Sequence, residues 1–526
     1  MNFYRQAAEI LDKISLKKGT VKSLVLSPKV QDKKRMYAIV CETLKYKLVL
    51  EEVIEGAGLL KMEKKSLALV LCHDLLLSKR GPPRSILTAP MASGVVKNKS
   101  RLSAELAKLK VRRGVQEVSE LLPTSVKNAV TIPRYIRVNT LKTTPAVALR
   151  HYIRSGYRQV EQWSDLVPKS KTIMQDPHLP ELLILPSGTD LHADALYVRG
   201  DIIIQDKASC FPAFVLNPPP GSNVVDACAA PGNKTSHVVA RMNNQGKVQA
   251  YDLDVRRLEL LKRMTSKAGC NIIQAKHGSF LETDPNDAFL SQVEYLLLDP
   301  SCSGSGIISR LDHLADGEGK GDTMEKDRLT SLAQFQTSII QHAMTFPLAR
   351  RIVYSTCSVH AQENERVVEA ILASNSNFIL APRSQVLPTW STRGEKQSQG
   401  RLTDDELESL VRAYPEKDRT NGFFVACFIR RPPSISRYVD AGIKGSRKHG
   451  RSEEKEESGS LESHDQEYEE EEEEEESGGS DDPMESPATA SPSPSAGESQ
   501  GKRSKKTKKK QRKKARAFKD QEVSLW

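Results

Sequence analysis

Apolar residues recur at helical spacing through the first hundred positions. AAEILDKI (7–14), MYAIVCETLKYKLVLEEVI (36–54) and KSLALVLCHDLLL (65–77) place them three and four apart, and the breaker Gly81-Pro82-Pro83 ends the run. A helical N-terminal module is expected over 1–104. From 105 to 215 the pattern turns mixed, with a helical stretch at 103–110 followed by β-prone YIRVNTL and DIIIQD, which reads as a small α+β segment. Between 216 and 432 short apolar strands alternate with helical stretches, the pattern of βαβ units around a parallel sheet. The main domain is therefore α/β and Rossmann-like. After 432 hydrophobic patterning stops, and a Glu run (469–476), a Ser/Pro stretch and KRSKKTKKKQRKKARAFK (502–519) predict a disordered tail over 433–526, acidic and then basic.

Cysteine usage narrows the class. The eight cysteines are scattered without a CxxC pair, which argues against a disulfide framework and against a metal site. The longest apolar run, 67–77, is short and interrupted by His73 and Asp74, so neither secretion nor membrane spanning is expected. Net charge changes meaning once the tail is set aside. Residues 451–526 carry 14 Lys/Arg and 21 Asp/Glu, which leaves 64 basic and 46 acidic residues in 1–450, a net of +18. A basic body suits a polyanion such as RNA, although composition alone fits a merely soluble basic protein equally well.

The unusual residues cluster at the ends of the readable strands. NVVDACAAPGNKTS (223–236) is a strand, a tight turn and a helix start whose amide groups face the ligand crevice. It is not a P-loop, because Asn233 stands where that motif needs Gly, and GSGIIS (304–309) imitates a dinucleotide fingerprint only superficially. KVQAYDLD (247–254) ends in two carboxylates, where open α/β folds hold ribose hydroxyls. Asp252 is the first choice and Asp254 the second, each weighed against a helix N-cap before VRRLELLKRM. VEYLLLDPSCSGSG (293–306) runs into Asp299 and Cys302, and RRIVYSTCS (350–358) into Cys357. A single strand-end cysteine is more often a small buried hydrophobe. Two of them on one parallel sheet that also carries a cofactor loop form a constellation suited to nucleophilic chemistry.

Together with QENERVV (362–368), PRYIRVNTLK (133–142) and NGFFVA (421–426), the segments DACAAPGNKT, DPSCSGSG and YSTCS resemble, in order and spacing, the motif set of the Nol/Nop/Sun-domain RNA cytosine-5 methyltransferases over residues 100–430. DPSCSGSG, PGNKT and the long helical N-terminus are most similar to the fifth member, which is associated with large-subunit ribosomal RNA. The resemblance implies an S-adenosylmethionine-dependent RNA (cytosine-5) methyltransferase. It implies that Cys228, Ala229, Ala230, Pro231, Gly232, Asn233 and Lys234 bind the methionine end of the cofactor and Asp252 its ribose. Arg257 matches a further cofactor-loop position, Asp299 would lie near cofactor and base, and Lys234 would also reach the cytosine. Cys357 resembles the nucleophile and Cys302 the cysteine that completes turnover. Three departures stand out: PGNK for the usual PGGK, DPSC for DAPC, and His277-Gly278-Ser279 where relatives often carry an Asp that contacts adenine.

Carbon 5 of cytosine is a poor nucleophile, so a thiolate must first add to carbon 6, and the base must be flipped or single-stranded to be reached. The 105–215 segment is then the expected RNA-binding segment. PRYIRVNTLK offers Arg134, Tyr135, Arg137 and Lys142 for backbone and base contacts, with a domain-joining strand weighed equally. NGFFVA reads as a core strand. The implied partner is large-subunit ribosomal RNA or a pre-ribosome, with no membrane, a monomeric state, and nuclear or nucleolar placement through the basic tail. The alternatives are a cytosine-5 methyltransferase of tRNA or another RNA, a methyltransferase of protein or small molecules, and a non-catalytic ribosome-assembly factor.

Overall fold

The computed structural model describes residues 2–16, 18–59, 65–78, 81–123, 130–308 and 322–431; the expected tail lies outside the described residues. Helices Asn2–Ser15, Lys33–Lys45, Lys47–Gly56 and Lys65–Leu76 assemble the first core. Helix Asn2–Ser15 buries the stripe Tyr4, Ala7, Ala8, Ile10, Leu11 and Ile14, as its period requires. Lys65–Leu76 is apolar all round and is buried from Leu67 to Asp74, with the Tyr4 hydroxyl donating to the Asp74 carboxylate. No described helix is long and apolar enough to cross a membrane. Helix Lys99–Arg112 runs through the expected boundary at 104/105 and puts Leu102, Leu106 and Leu109 into this same core. The apolar period continues without a breaker there, so the chain has no reason to leave the helix.

Residues 134–204 form a five-stranded sheet in the order β2-β3-β4-β1-β5, with β1 Arg134–Val138, β2 Arg158–Gln159, β3 Thr172–Gln175, β4 Leu182–Leu185 and β5 Ile202–Ile204. Its strands β1, β4 and β5 are covered on both faces. Leu183, Leu185, Ile136 and Val138 pack against Ala148 and Tyr152 of helix Pro145–Arg154 on one side. Tyr135, Leu182 and Ile184 point the other way, into a cluster that continues through Phe211, Val215, Val224 and Val353 of the main domain. Period-two alternation between two apolar environments explains why β4 and β5 read as unbroken apolar runs.

The main sheet has the order β11-β13-β10-β9-β6-β7-β8, with β12 added beside β13. Its members are β6 Asn223–Asp226, β7 Lys247–Asp252, β8 Ile273–His277, β9 Tyr295–Leu298, β10 Arg351–Thr356, β11 Phe378–Leu380, β12 Val411–Ala413 and β13 Phe423–Arg430. Strands β6 to β10 are parallel neighbours, and β13 closes the sheet antiparallel to β10. The chain winds outward from β6 through β7 to β8, then returns to start β9 on the other side of β6. The switch point therefore falls between β6 and β9, where open α/β sheets leave a crevice at the carboxyl ends of the strands. NGFFVA forms the start of β13, with Phe423 and Phe424 buried, as a core strand should be.

Candidate active site

The turn after β6 is shaped by Gly232, whose φ of +103° suits only glycine and where a Cβ would come within 3.1 Å of Thr265 Cγ2. Asn233 then begins helix Asn233–Arg241, so the missing second glycine of the motif costs the turn nothing. Ala229 and Ala230 are buried, Cys228 is half-buried, and Pro231 is exposed. Burial pushes the Cys228 thiol well above its ordinary range. Across from this loop Asp252, 5% exposed, accepts from Ala230 N at 3.2 Å. Arg257 braces the pair, donating to the Ala230 carbonyl and lying 3.5 Å from the Asp252 carboxylate. Asp254 is the cap of helix Val255–Lys267, accepting from Arg256 N at 2.8 Å and Arg257 N at 3.2 Å. Of the two aspartates at the end of β7, Asp254 is thus the helix cap and Asp252 faces the 228–234 loop. His277 is exposed, its Nε2 3.2 Å from the Leu253 carbonyl.

Lys234 reaches from the helix to the next strand end. Its Nζ lies 2.8 Å from Asp299 Oδ2 and 3.2 Å from Ser209 Oγ, over the Phe423 ring. Burial pulls its proton affinity down, but the charge and hydrogen bond of Asp299 more than offset this and hold Lys234 above its ordinary value. Its contacts are those of a cation and hydrogen-bond donor. Asp299 Oδ1 accepts from Ser355 Oγ at 2.7 Å, which ties the β9 end to the β10 end.

Cys302 and Cys357 meet, with their sulfurs 3.1 Å apart. Pro300 does not turn Cys302 away. The loop reaches that position because Gly306 passes against Gly422, donating to Cys357 O at 3.0 Å and accepting from Gly422 N at 2.8 Å. A Cβ on Gly306 would stand 2.2 Å from Gly422 O, so the approach needs glycine. The hydrogen bond to Cys357, then burial, then neighbouring negative charge raise Cys302 well above the usual thiol range. Among the described residues no group of His, Cys, Asp or Glu is arranged to hold a metal.

For PRYIRVNTLK the contacts favour one of the two readings weighed equally. Arg137 is fully buried, donating to Gln205 Oε1 at 2.8 Å and Ser236 Oγ at 3.0 Å, and Tyr135 is buried with its hydroxyl on the Arg419 carbonyl. Lys142 donates to the carbonyls of Arg199 and Lys267 at 2.8 and 2.7 Å. PRYIRVNTLK is thus a domain-joining segment, because Arg137, Tyr135 and Lys142 hydrogen-bond residues of the main domain, among them Ser236 of helix Asn233–Arg241. Sequence reasoning also missed the polar residues that anchor the thiol loops: Ser355, Gln336, Glu363 and Asn364. The only signal was the run Glu-Asn-Glu directly after the β10 loop, ahead of an apolar helix.

The fold and the site define a Rossmann-like methyltransferase that carries paired thiols. Three family models match the chain: "16S rRNA methyltransferase RsmB/F" over 213–429, and "NOL1/NOP2/Sun domain family member 5", as its N-terminal domain over 34–122 and its ferredoxin-like domain over 132–205. The 28S rRNA (cytosine-C(5))-methyltransferase of Mus musculus is 45% identical over 445 residues, 82% of this chain and 91% of that one. The 25S rRNA (cytosine-C(5))-methyltransferase rcm1 of Schizosaccharomyces pombe is 42% identical over 433 residues, 81% of this chain and 91% of its own. The chain belongs to the NOL1/NOP2/Sun domain family, within its member-5 group. The crystal structure of PH0851 shares the fold, with a TM-score of 0.53 at 21% identity over 81% of this chain and 99% of that one.

Proposed function

We propose that this chain methylates carbon 5 of a cytosine in large-subunit ribosomal RNA, with S-adenosylmethionine as donor and Cys357 as nucleophile. The observation that carries this reading is the meeting of Cys302 and Cys357 beside the Lys234–Asp299 pair, at the switch point of the sheet. The names of the mouse and fission-yeast relatives, both large-subunit rRNA methyltransferases, support the substrate. The residues present fit the cofactor: a glycine turn that admits close approach, a helix start, and a strand-end carboxylate braced by Arg257. In this reading residues 228–234 hold the methionine end, Asp252 the ribose, and Asp299 both cofactor and base. When bound, S-adenosylmethionine supplies an electrophilic methyl group.

The thiolate of Cys357 forms a bond to carbon 6 of the flipped cytosine, moving an electron pair to carbon 5. Asp299 accepts a hydrogen bond from the exocyclic amino group and orients the ring, and the Lys234 ammonium beside it donates toward the ring as negative charge enters it. After carbon 5 is methylated, its proton must leave and the sulfur–carbon bond must break. Once Cys357 is bound to carbon, the hydrogen bond that most strongly holds the Cys302 proton is gone. Cys302 then releases that proton to solvent and accepts the one on carbon 5. The working organisation is a helical module that includes helix Lys99–Arg112, an α+β segment, the methyltransferase domain and a tail that directs a monomer to the nucleolus. Bisulfite sequencing of RNA from cells with and without the protein tests the reading: one large-subunit methylcytosine should disappear. Loss confined to tRNA, or no loss at all, overturns it.

A further inference from the structure

Three consecutive polar residues, Glu363, Asn364 and Glu365, are at most 1% exposed. Such a run is costly unless every group has work to do. Glu365 forms a buried pair with Arg412, whose Nη1 donates to Val359 O at 3.0 Å. Its two predecessors reach the thiol loops.

Glu363 Oε1 accepts from Ser303 N at 2.8 Å and from Gln336 Nε2 at 3.0 Å. Gln336 Nε2 also donates to Ser301 O at 3.1 Å. The residues before and after Cys302 are therefore tied to one carboxylate. Asn364 does the same for the other thiol: Oδ1 accepts from Thr356 Oγ1 at 2.6 Å and Nδ2 donates to Ser358 O at 3.0 Å, on either side of Cys357. The Tyr354 hydroxyl donates to the Glu363 carbonyl at 2.6 Å and fixes this segment to β10. Glu363 Oε2 is buried without a hydrogen-bond partner, a state that packing alone gives no reason to keep.

We propose that Glu363 and Asn364 are paired positioning residues, Glu363 holding the Cys302 loop and Asn364 the Cys357 loop, so that one short segment sets the spacing and the distinct roles of the two thiols. Asn364 contributes geometry. Glu363 contributes geometry and negative charge, which disfavours a thiolate at Cys302 and so marks it as the donor toward Cys357. The groups facing Cys302 are Cys357, Glu363 and Asp299, with the buried Tyr354 phenol nearby and Lys234 paired to Asp299. Of these side chains Glu363 also accepts from the backbone of the Cys302 loop, at Ser303 N. The inference rests on the cysteine mechanism above, and its test reads the thiols directly.

Glu363→Gln is nearly isosteric and keeps an acceptor for Ser303 N while removing the charge; Glu363→Ala removes both. Each full-length variant is alkylated with iodoacetamide over a pH series, and modification of Cys302 and Cys357 is followed by mass spectrometry beside methylation kinetics on a ribosomal RNA fragment. In Glu363→Gln the Cys302 alkylation midpoint should move down by about one pH unit or more while that of Cys357 holds. Its kcat should fall on the order of tenfold with KM for RNA nearly unchanged. Asn364→Ala removes the bonds to Thr356 and Ser358 without adding charge; it should slow adduct formation at Cys357 and leave the Cys302 midpoint in place. If Glu363→Gln alkylates and turns over like the parent chain, Glu363 is only a packing group and the proposal fails. Cys357→Ala run in parallel keeps the outcomes apart: retained methylation there defeats the cysteine mechanism, whereas an unchanged Glu363→Gln defeats only the positioning role.

Discussion

Cys302 Sγ lies 3.1 Å from Cys357 Sγ, although 55 positions separate the two residues in the chain. At that distance only one sulfur can readily carry charge, and Cys302 is the one held as a thiol. The two strand ends therefore place like residues in unlike settings, with negative charge disfavoured on Cys302.

The cofactor side gives the first prediction. Asp252 is the buried carboxylate that faces the 228–234 loop, whereas Asp254 caps its helix. Asp252→Ala should weaken S-adenosylmethionine binding about tenfold to a hundredfold, as expected for a lost charged hydrogen bond, with RNA affinity nearly unchanged. Asp254→Ala should lower thermal stability and spare cofactor affinity. Calorimetry that finds Asp252→Ala binding as tightly as the parent would remove that residue from the site.

Stability should respond to pH through two buried groups that act in opposite directions. Burial lifts Asp226 from 3.8 to about 7, with Asp299 adding to the effect. The folded chain therefore keeps a proton that the unfolded chain has released, and this contribution to stability falls as pH rises through that window. Burial lowers His237 from 6.5 to about 4, so the unfolded chain binds the extra proton and stability falls as pH drops through that range. Asp226→Asn removes the first effect and should give a melting temperature that climbs more steeply from about pH 4 to 7. A profile parallel to that of the parent chain would mean Asp226 is ionised throughout.

The buried Arg412–Glu365 pair supports the loop after Cys357. Arg412→Ala strands a carboxylate that is 1% exposed and should cost about 3–5 kcal/mol in urea unfolding. A loss under about 1 kcal/mol would place the pair among those that water can screen.

What could be read from the sequence follows from how far apart the interacting partners lie. The β6, β7, β9 and β10 ends were legible because each strand is a short apolar run whose last residues change character. Arg137 was not, since its partners Gln205 and Ser236 lie 68 and 99 positions away and a charged residue in a basic segment looks solvated until they are known. Glu363 and Asn364 were visible as letters in QENERVV, but their bonds run to the Cys302 loop and to a helix. The helical stretch at 103–110 was legible, but its place in the first core was not, because the mean pattern changes near 104/105 while the apolar period itself continues.

The two thiols act at opposite ends of the proposed reaction, which makes them separable. Cys357→Ala should abolish methylation and form no covalent RNA adduct, because the bond to carbon 6 is never made. Cys302→Ala should still attack, and then stall once the carbon 5 proton cannot be cleared, so that a denaturant-resistant protein–RNA complex accumulates. Removing both should abolish that complex, a non-additivity expected of residues that act in sequence. The 3.1 Å spacing adds a second expectation: without the Cys302 thiol as donor, Cys357 loses its hydrogen-bond partner, so the rate of adduct formation should change along with its lifetime. Denaturing gels of each variant, incubated with a ribosomal RNA fragment and S-adenosylmethionine and sampled over time, read both quantities. Adduct in Cys357→Ala and none in Cys302→Ala would reverse the assignment and make Cys302 the nucleophile. Full methylation by both single variants would reduce the pair to two buried structural thiols.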